Sequence, residues 1–413
     1  MPGPLAGIRV IEVAIAVLGP LATQILGDMG AEIIKVETPE GDPMRQIGPA
    51  RNPGMAAYYL TLNRNKKSLV LDLKHKAARE AMLRLAATAD VFVHNRRTGA
   101  AARLGIDYRT IASANPRIVY ASATGYRPGT RYADRAAFDD VIQGESGLAA
   151  LNGGAAKGPD GRAPHYVPMV VCDKVSGHVL AGAVAMALFA RERTGKGQEV
   201  HVPMMETMAA FNLVDHFWHG VFGEPEKGLG YPRMLTPYRR PYATRDGHIC
   251  LLATTDRQWR GLFAAMDCPG YGEDPRFSTI SGRTANIDAL YTIVAERMRL
   301  RTTAEWRIRL DRFDVPNGVV NDLAGLIADP NLNDTGFFRP IDHPSEGPIV
   351  TTAIPVSLSE SPGELRLPPP RLGEHTADLL GELGYGPADI DEIAGRRAGG
   401  SDLGDDASVG RVG

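Results

Sequence analysis

The first 125 residues alternate short apolar runs with amphipathic stretches, and few folds accept that rhythm. "GIRVIEVA" (Gly7–Ala14), "AEIIKVE" (Ala31–Glu37), "SLVLDL" (Ser68–Leu73), "VFVHN" (Val91–Asn95) and "RIVYASATG" (Arg117–Gly125) read as buried strands. Between them "GPLATQILGDMG" (Gly19–Gly30) reads as a helix stopped by Gly30, and "KAAREAMLRLAATA" (Lys76–Ala89) as an amphipathic helix. Strands alternating with helices imply an α/β fold: a parallel sheet, helices on both faces and right-handed crossovers.

The rhythm changes after residue 170. One long helix is expected after Asp173, to about Arg193, then a turn and strand in "RTGKGQEVHVPM", then helix through Met205–Phe222. Residues 223–241 are rich in Gly and Pro and mark a boundary. A hairpin turning at Asp246-Gly247 and several helical segments follow, which make a smaller α+β domain. The proline-rich segment 344–376 reads as a connection back to the first domain. The expected organisation is a large domain over 1–222, a small domain over 223–340, a return segment over 341–394 and a disordered tail over 395–413. The 413 residues suffice for two such cores.

Composition narrows the partners. Net charge is -2 with the signs interspersed, so no basic block favours nucleic acid. Cys172, Cys250 and Cys268 stand far apart, as reduced thiols in a cytosolic protein would. The N-terminus lacks the basic and apolar regions of a signal peptide. The most apolar stretch, Val175–Ala190, contains His178 and is flanked by charge, so a core helix is expected and no membrane span.

Several chemistries can be weighed on the residues alone. The opening strand–loop–helix–strand, ending in Glu37, mimics a dinucleotide-binding unit, but its turn "AIAVLGP" has Gly19 alone where a pyrophosphate site needs several glycines. His201, His216 and His219 lie near one another without a ligand motif, so no metal is expected. Cys172 reads as a buried small residue. Asp173 has two readings that share one geometry. It is a helix N-cap, or it is a carboxylate kept ionised by the helix N-terminus and used as a nucleophile, with small residues Ser176, Gly177, Ala181 and Gly182 beside it.

A set of landmarks in fixed order then becomes informative: "PLAGIRVIEV", "GPLATQILGDMGAEIIKVETPEGDPMR", "NRNKKSLVLDLK", "RLGIDYRTIASANPRIVYASATGY", "FDDVIQGESGL", "RTGKGQEVHVPM", "EDPRF" and "PRLGEHT". In their order and spacing the chain resembles the class III CoA-transferase family, which includes formyl-CoA transferase, carnitine CoA-transferases and 2-methylacyl-CoA racemase. The resemblance runs to about Gly386. It implies a large Rossmann-like domain whose parallel sheet is built from both chain ends, a smaller central domain and an intertwined homodimer. It implies CoA transfer from an acyl-CoA to a carboxylic acid, with Asp173 in the nucleophile's place and Asp139 lining the active site. Ala16, Val17, Leu18, Lys74, Asn95, Arg97 and Arg103 fall where the family contacts CoA, which is a substrate here and not a tightly bound cofactor. Val17 departs from the glutamine of formyl-CoA transferase, Thr38 from its arginine, and "NRRTG" from the usual "NFRPG". The alternatives are a 2-methylacyl-CoA racemase, which Phe138 in place of a histidine disfavours, and a CoA-binding protein without catalysis.

Overall fold

The structure is a computed structural model and describes residues 3–153 and 163–394. Two compact units divide the chain: residues 1–139, 170–207 and 339–413 form one, and residues 140–169 and 208–338 the other. The second unit therefore takes in 140–169 and 208–222, which the sequence reading put in the large domain, along with most of the expected small domain.

The first unit is built on six parallel strands, β1 (Arg9–Val13), β2 (Glu32–Glu37), β3 (Lys66–Val70), β4 (Val91–His94), β5 (Val119–Thr124) and β6 (Gln198–Pro203), in the order β3-β2-β1-β4-β5-β6. Strands β1 to β5 are buried almost throughout, because helices cover both faces of a parallel sheet. The early helices are α1 (Leu18–Asp28), α2 (Ala57–Leu62), α3 (Lys76–Ala87), α4 (Thr98–Leu104) and α5 (Tyr108–Ala114). They are followed by α6 (Asp139–Glu145), α7 (Leu148–Asn152) and α8 (Val171–Thr194). Gly19 lets α1 approach the end of β1, since a Cβ there would stand 2.3 Å from that of Ala14.

The unit draws on both ends of the chain, but its sheet does not. All six strands come from residues 9–203, and the C-terminal return adds helices at Thr376–Glu382 and Pro387–Ile393. Seven prolines from 344 to 370 cannot donate to a ladder, so beyond a two-stranded pairing of Phe338–His343 with Gly347–Thr352 the return runs as an extended connection. Asn65, left-handed at φ 59, anchors it: its Oδ1 accepts from the Arg366 and Leu367 N–H groups, and its Nδ2 donates to the Glu364 carbonyl. Leu379, Leu380 and Ile393 then enter the same core as Ile34, Leu69 and Met82. The tail expected from residue 395 lies outside the described residues.

Helix α8 is longer than the apolar stretch suggested. Its 24 residues are enough, by length and composition, to cross a membrane. One face, with Ser176, Leu180, Val184 and Leu188, is buried, and α8 packs on α1, β5 and β6. Its buried Arg191 pairs with Asp90 at 2.9 Å. These are the contacts of a core helix.

In the second unit, the hairpin forms at Asp246-Gly247 between Tyr242–Ala243 and His248–Leu251, and Asn317–Val319 joins it antiparallel. Trp259, Phe263, Phe277, Leu290, Val294 and Trp306 make its core.

Candidate active site

Helix α8 begins at Val171, so Asp173 is its third residue and not its cap. The cap residue, Val170, offers no side-chain oxygen. An acceptor comes instead from Asp139 at the start of α6, whose Oδ2 accepts the Asp173 N–H at 2.9 Å. Asp139 is 4% exposed, so its charge acts on Asp173 with little water between. Burial first, and then that charge, raise the Asp173 carboxyl to about 7. The expectation of a carboxylate held ionised by the helix N-terminus is thus corrected, because desolvation and a like charge outweigh the helix.

Tyr58 of α2 belongs to the same place. Burial, then Asp173 and Asp139, push its phenol upward. Nothing in "AAYYLTL" marks it, since it reads as half of an ordinary aromatic pair. The small residues after Asp173 serve backbone approach: a Cβ on Gly177 would stand 2.8 Å from the Leu18 carbonyl oxygen. The first turns of α8 therefore rest on the first turn of α1, where the loop that follows β1 ends. Cys172 is fully buried beside them.

That loop lies at the C-terminal end of β1, where the strand order reverses between β1 and β4 and open α/β sheets hold their ligands. Val17 and Leu18 have buried side chains, so what they offer a ligand is backbone, while Ala16 is half-buried. A crevice of about 70 Å³ opens alongside, with apolar walls from Ile15, Leu71 and Leu104, and it is lined by Lys74 and Arg96 together with Glu37, Asp42 and Asp72. Of the expected CoA contacts, Lys74 lines this crevice directly. Arg97 is exposed just before α4 and donates to the Asp134 carbonyl at 3.4 Å. Arg103 is exposed in the last turn of α4, its guanidinium 3.6 Å from where a Gly99 Cβ would stand. Both ends of the Asn95 amide are engaged by Ile15.

Arg96 was not singled out from the sequence. Its Nε is buried without a hydrogen-bond partner, and burial lowers its guanidinium against the pull of Asp42. Asp42 on the crevice wall offsets part of the desolvation of this cation. Beside it His94 is buried and lowered to about 4, first by burial and then by His201, so it stays neutral. Its Nδ1 accepts from the Arg96 N–H and its Nε2 meets the Tyr120 hydroxyl at 2.7 Å. Among the described residues no three His, Cys, Asp or Glu side chains gather into a metal-holding group. His201 bonds Thr124, and His216 accepts from the Tyr231 N–H.

Residues 5–376 match the profile of CoA-transferase family III. The chain belongs to that family. It is 33% identical to succinate–glutarate CoA-transferase of Agrobacterium fabrum, over 92% of this chain and 96% of that one. It is 30% identical to human succinyl-CoA:glutarate CoA-transferase, over 92% and 86%. Among solved structures, a CAIB/BAIF family protein from Brucella suis superposes with a TM-score of 0.76 at 31% identity, covering 93% of this chain and all of that one. Rv3272 of Mycobacterium tuberculosis gives 0.79 at 30%, covering 91% and 99%. As a family III CoA-transferase the chain is an enzyme that handles CoA thioesters, and its fold is the α/β fold of these neighbours.

Proposed function

We propose that this CoA-transferase passes CoA from an acyl-CoA donor to a carboxylic acid through covalent intermediates on Asp173. The observation that carries the reading is the buried Asp173 carboxyl at the head of α8, beside Asp139, on a helix whose first turns pack against the start of α1. The Asp173 carboxylate attacks the donor acyl carbon. A C–O bond forms, the C–S bond breaks, and CoA leaves as thiolate. The thiolate attacks the aspartyl carbonyl of the mixed anhydride, giving an aspartyl-CoA thioester and the donor's free carboxylate. The acceptor carboxylate attacks that thioester, and the returning thiolate takes the new acyl group and frees Asp173. Thioester and carboxylate are exchanged without net redox change.

CoA lies along Ala16, Val17 and Leu18, with its phosphates toward Lys74, Arg96, Arg97 and Arg103. Arg96, whose Nε is buried without a hydrogen-bond partner, Lys74 and the apolar walls beside them support an anionic ligand with an apolar body. The names of the two relatives above support short dicarboxylates such as succinate and glutarate as the acids. The enzyme works as a homodimer in the cytosol. Val179, Met186 and Phe189 form an exposed apolar stripe on α8 that a second copy would cover.

The test pairs acyl-CoA donors with carboxylate acceptors and reads the products by mass spectrometry. Asp173→Asn and Asp173→Ala should fold and bind CoA yet lose transfer, and hydroxylamine with acyl-CoA should convert Asp173 to a hydroxamate. Full activity in Asp173→Ala would sink the mechanism, and failure of any acyl-CoA to label the wild type would favour CoA binding without catalysis. One observation favours the racemase: a carboxyl titrating near 7 can exchange protons. Phe138 beside Asp139, 77% exposed, supplies no second proton carrier. A 2-methylacyl-CoA incubated in deuterated water should therefore keep its α-proton.

A further inference from the structure

We infer that Asn95, Asp42 and Lys35 are positioning residues that hold the loop Ala14–Val17 in one preformed shape for acyl-CoA. The inference rests on the CoA-transfer reading above. Ala16 has φ 64, a left-handed conformation that a residue with a Cβ adopts at a cost of about 1–2 kcal/mol. Such a conformation persists only where its surroundings impose it.

The surroundings are three polar side chains. The Ala14 carbonyl accepts from Lys35 Nζ at 3.0 Å. Ile15 gives its N–H to Asn95 Oδ1 at 3.1 Å and receives Asn95 Nδ2 on its carbonyl at 2.7 Å. The Ala16 N–H donates to Asp42 Oδ1 at 3.3 Å. Four successive backbone groups are thus tied by side chains, on a stretch where the sheet's own ladder has ended. The last β1–β4 pair is Val13 with His94, and the Asn95 amide carries that pairing one residue further.

The clamp is itself held. Lys35 is fully buried and spends its three protons on Ala14, Glu12 Oε1 at 2.8 Å and Asp42 Oδ2 at 2.9 Å. Asp42 also accepts the Met44 N–H, and its own N–H donates to Glu37. Burial alone would raise Glu12, but Lys35 and Lys66 bring it down to about 2, so Glu12 stays ionised against Lys35 beneath the loop.

A glycine-rich turn leaves its N–H groups open to phosphate. Here the Ile15 and Ala16 N–H groups are already taken, so the loop recognises CoA by a fixed shape. Asn95 acts through the loop, on the substrate's binding and not on the reacting atoms.

The test is a split in the kinetics. If loss of the clamp leaves the competent loop about one-tenth populated, acyl-CoA affinity falls about tenfold. Asn95→Ala should raise the KM for acyl-CoA by about that factor, with kcat within about threefold and the acceptor's KM unchanged. In the Asp173→Asn background, calorimetry should show the same loss in CoA Kd without turnover. Ala16→Val, with Asn95 intact, should reproduce the defect, because a β-branched residue does not tolerate φ 64. Wild-type KM and Kd in both variants would overturn the clamp while leaving the transferase intact. Equal rises in both substrates' KM with a fall in Tm would overturn it as mere structural damage. A wild type that binds no CoA would sink the transferase reading and the clamp together, whereas one that binds CoA without transfer would sink the reading alone.

Discussion

Burial and the Asp139 charge place the Asp173 titration near 7, inside the range where activity is assayed. A nucleophile must be ionised, so transfer should rise with pH through about 7 and level off above it. Asp139→Asn keeps an oxygen for the Asp173 N–H but removes the like charge, so the rise should move to lower pH. Stability runs the other way. The folded carboxyl holds its proton up to about 7, while its ordinary value is 3.8, so between these values the folded state binds more protons. Stability is therefore lost as pH rises across that window. Asp173→Asn should raise Tm at pH 8 and leave it nearly unchanged at pH 4, as calorimetric scans would show; equal shifts at both would refute the burial argument. Lys74 and Arg96 differ in kind. Lys74 is exposed, so its help to CoA binding should fade with salt, whereas that of the more buried Arg96 should persist. Alanine at either should weaken CoA about tenfold at low salt, since a hydrogen bond to a charged group contributes about 1.5–3 kcal/mol.

At the scale of elements, α8 depends on Gly177 for its approach to α1. Gly177→Ala gains about 1 kcal/mol of helix propensity. The new methyl would meet a backbone oxygen at 2.8 Å and Leu21 at 3.3 Å, and overpacking costs about 1–3 kcal/mol, so the net change should be destabilising. Urea unfolding checks the sign, and a stabilised variant would show that α8 can shift. The strands were legible because burial on both faces of a parallel sheet writes continuous runs such as "RVIEV" and "VFVH". The head of α8 was not. Its acceptor, Asp139, lies 34 residues earlier, so Asp173 looked like a local cap while a partner far along the chain filled that need. Tyr58 and Arg96 escaped for a related reason: their significance is a shared crevice or charge, which no spacing in the sequence encodes.

At the scale of the whole molecule, the glycine- and proline-rich run 223–241 was expected as a boundary, whereas the units divide at 207–208, within the helix Met204–His216, where no punctuation marks the chain. Residue 139 opens α6 in one unit and most of that helix belongs to the other. The return segment was expected to complete the large domain's sheet, but its strand, Gly347–Thr352, pairs with Phe338–His343 and not with the six-stranded sheet. Leu380 is fully buried against a core made almost wholly by the first 120 residues. Leu380→Ala should cost about 2–5 kcal/mol in denaturant unfolding. Loss of less than about 1 kcal/mol would mean that the C-terminal helices are dispensable. Their late arrival also bears on synthesis. The last strand of the sheet is made by residue 203, but the helices that cover its β3 side end at residue 393. At ~5–20 residues per second the ribosome takes on the order of 10–40 s to add the intervening stretch. For that interval α3 and α5 already cover part of the core, but the places of Leu379, Leu380 and Ile393 stand open beside β3, a patch of apolar surface that a holding chaperone would shield until the chain is complete.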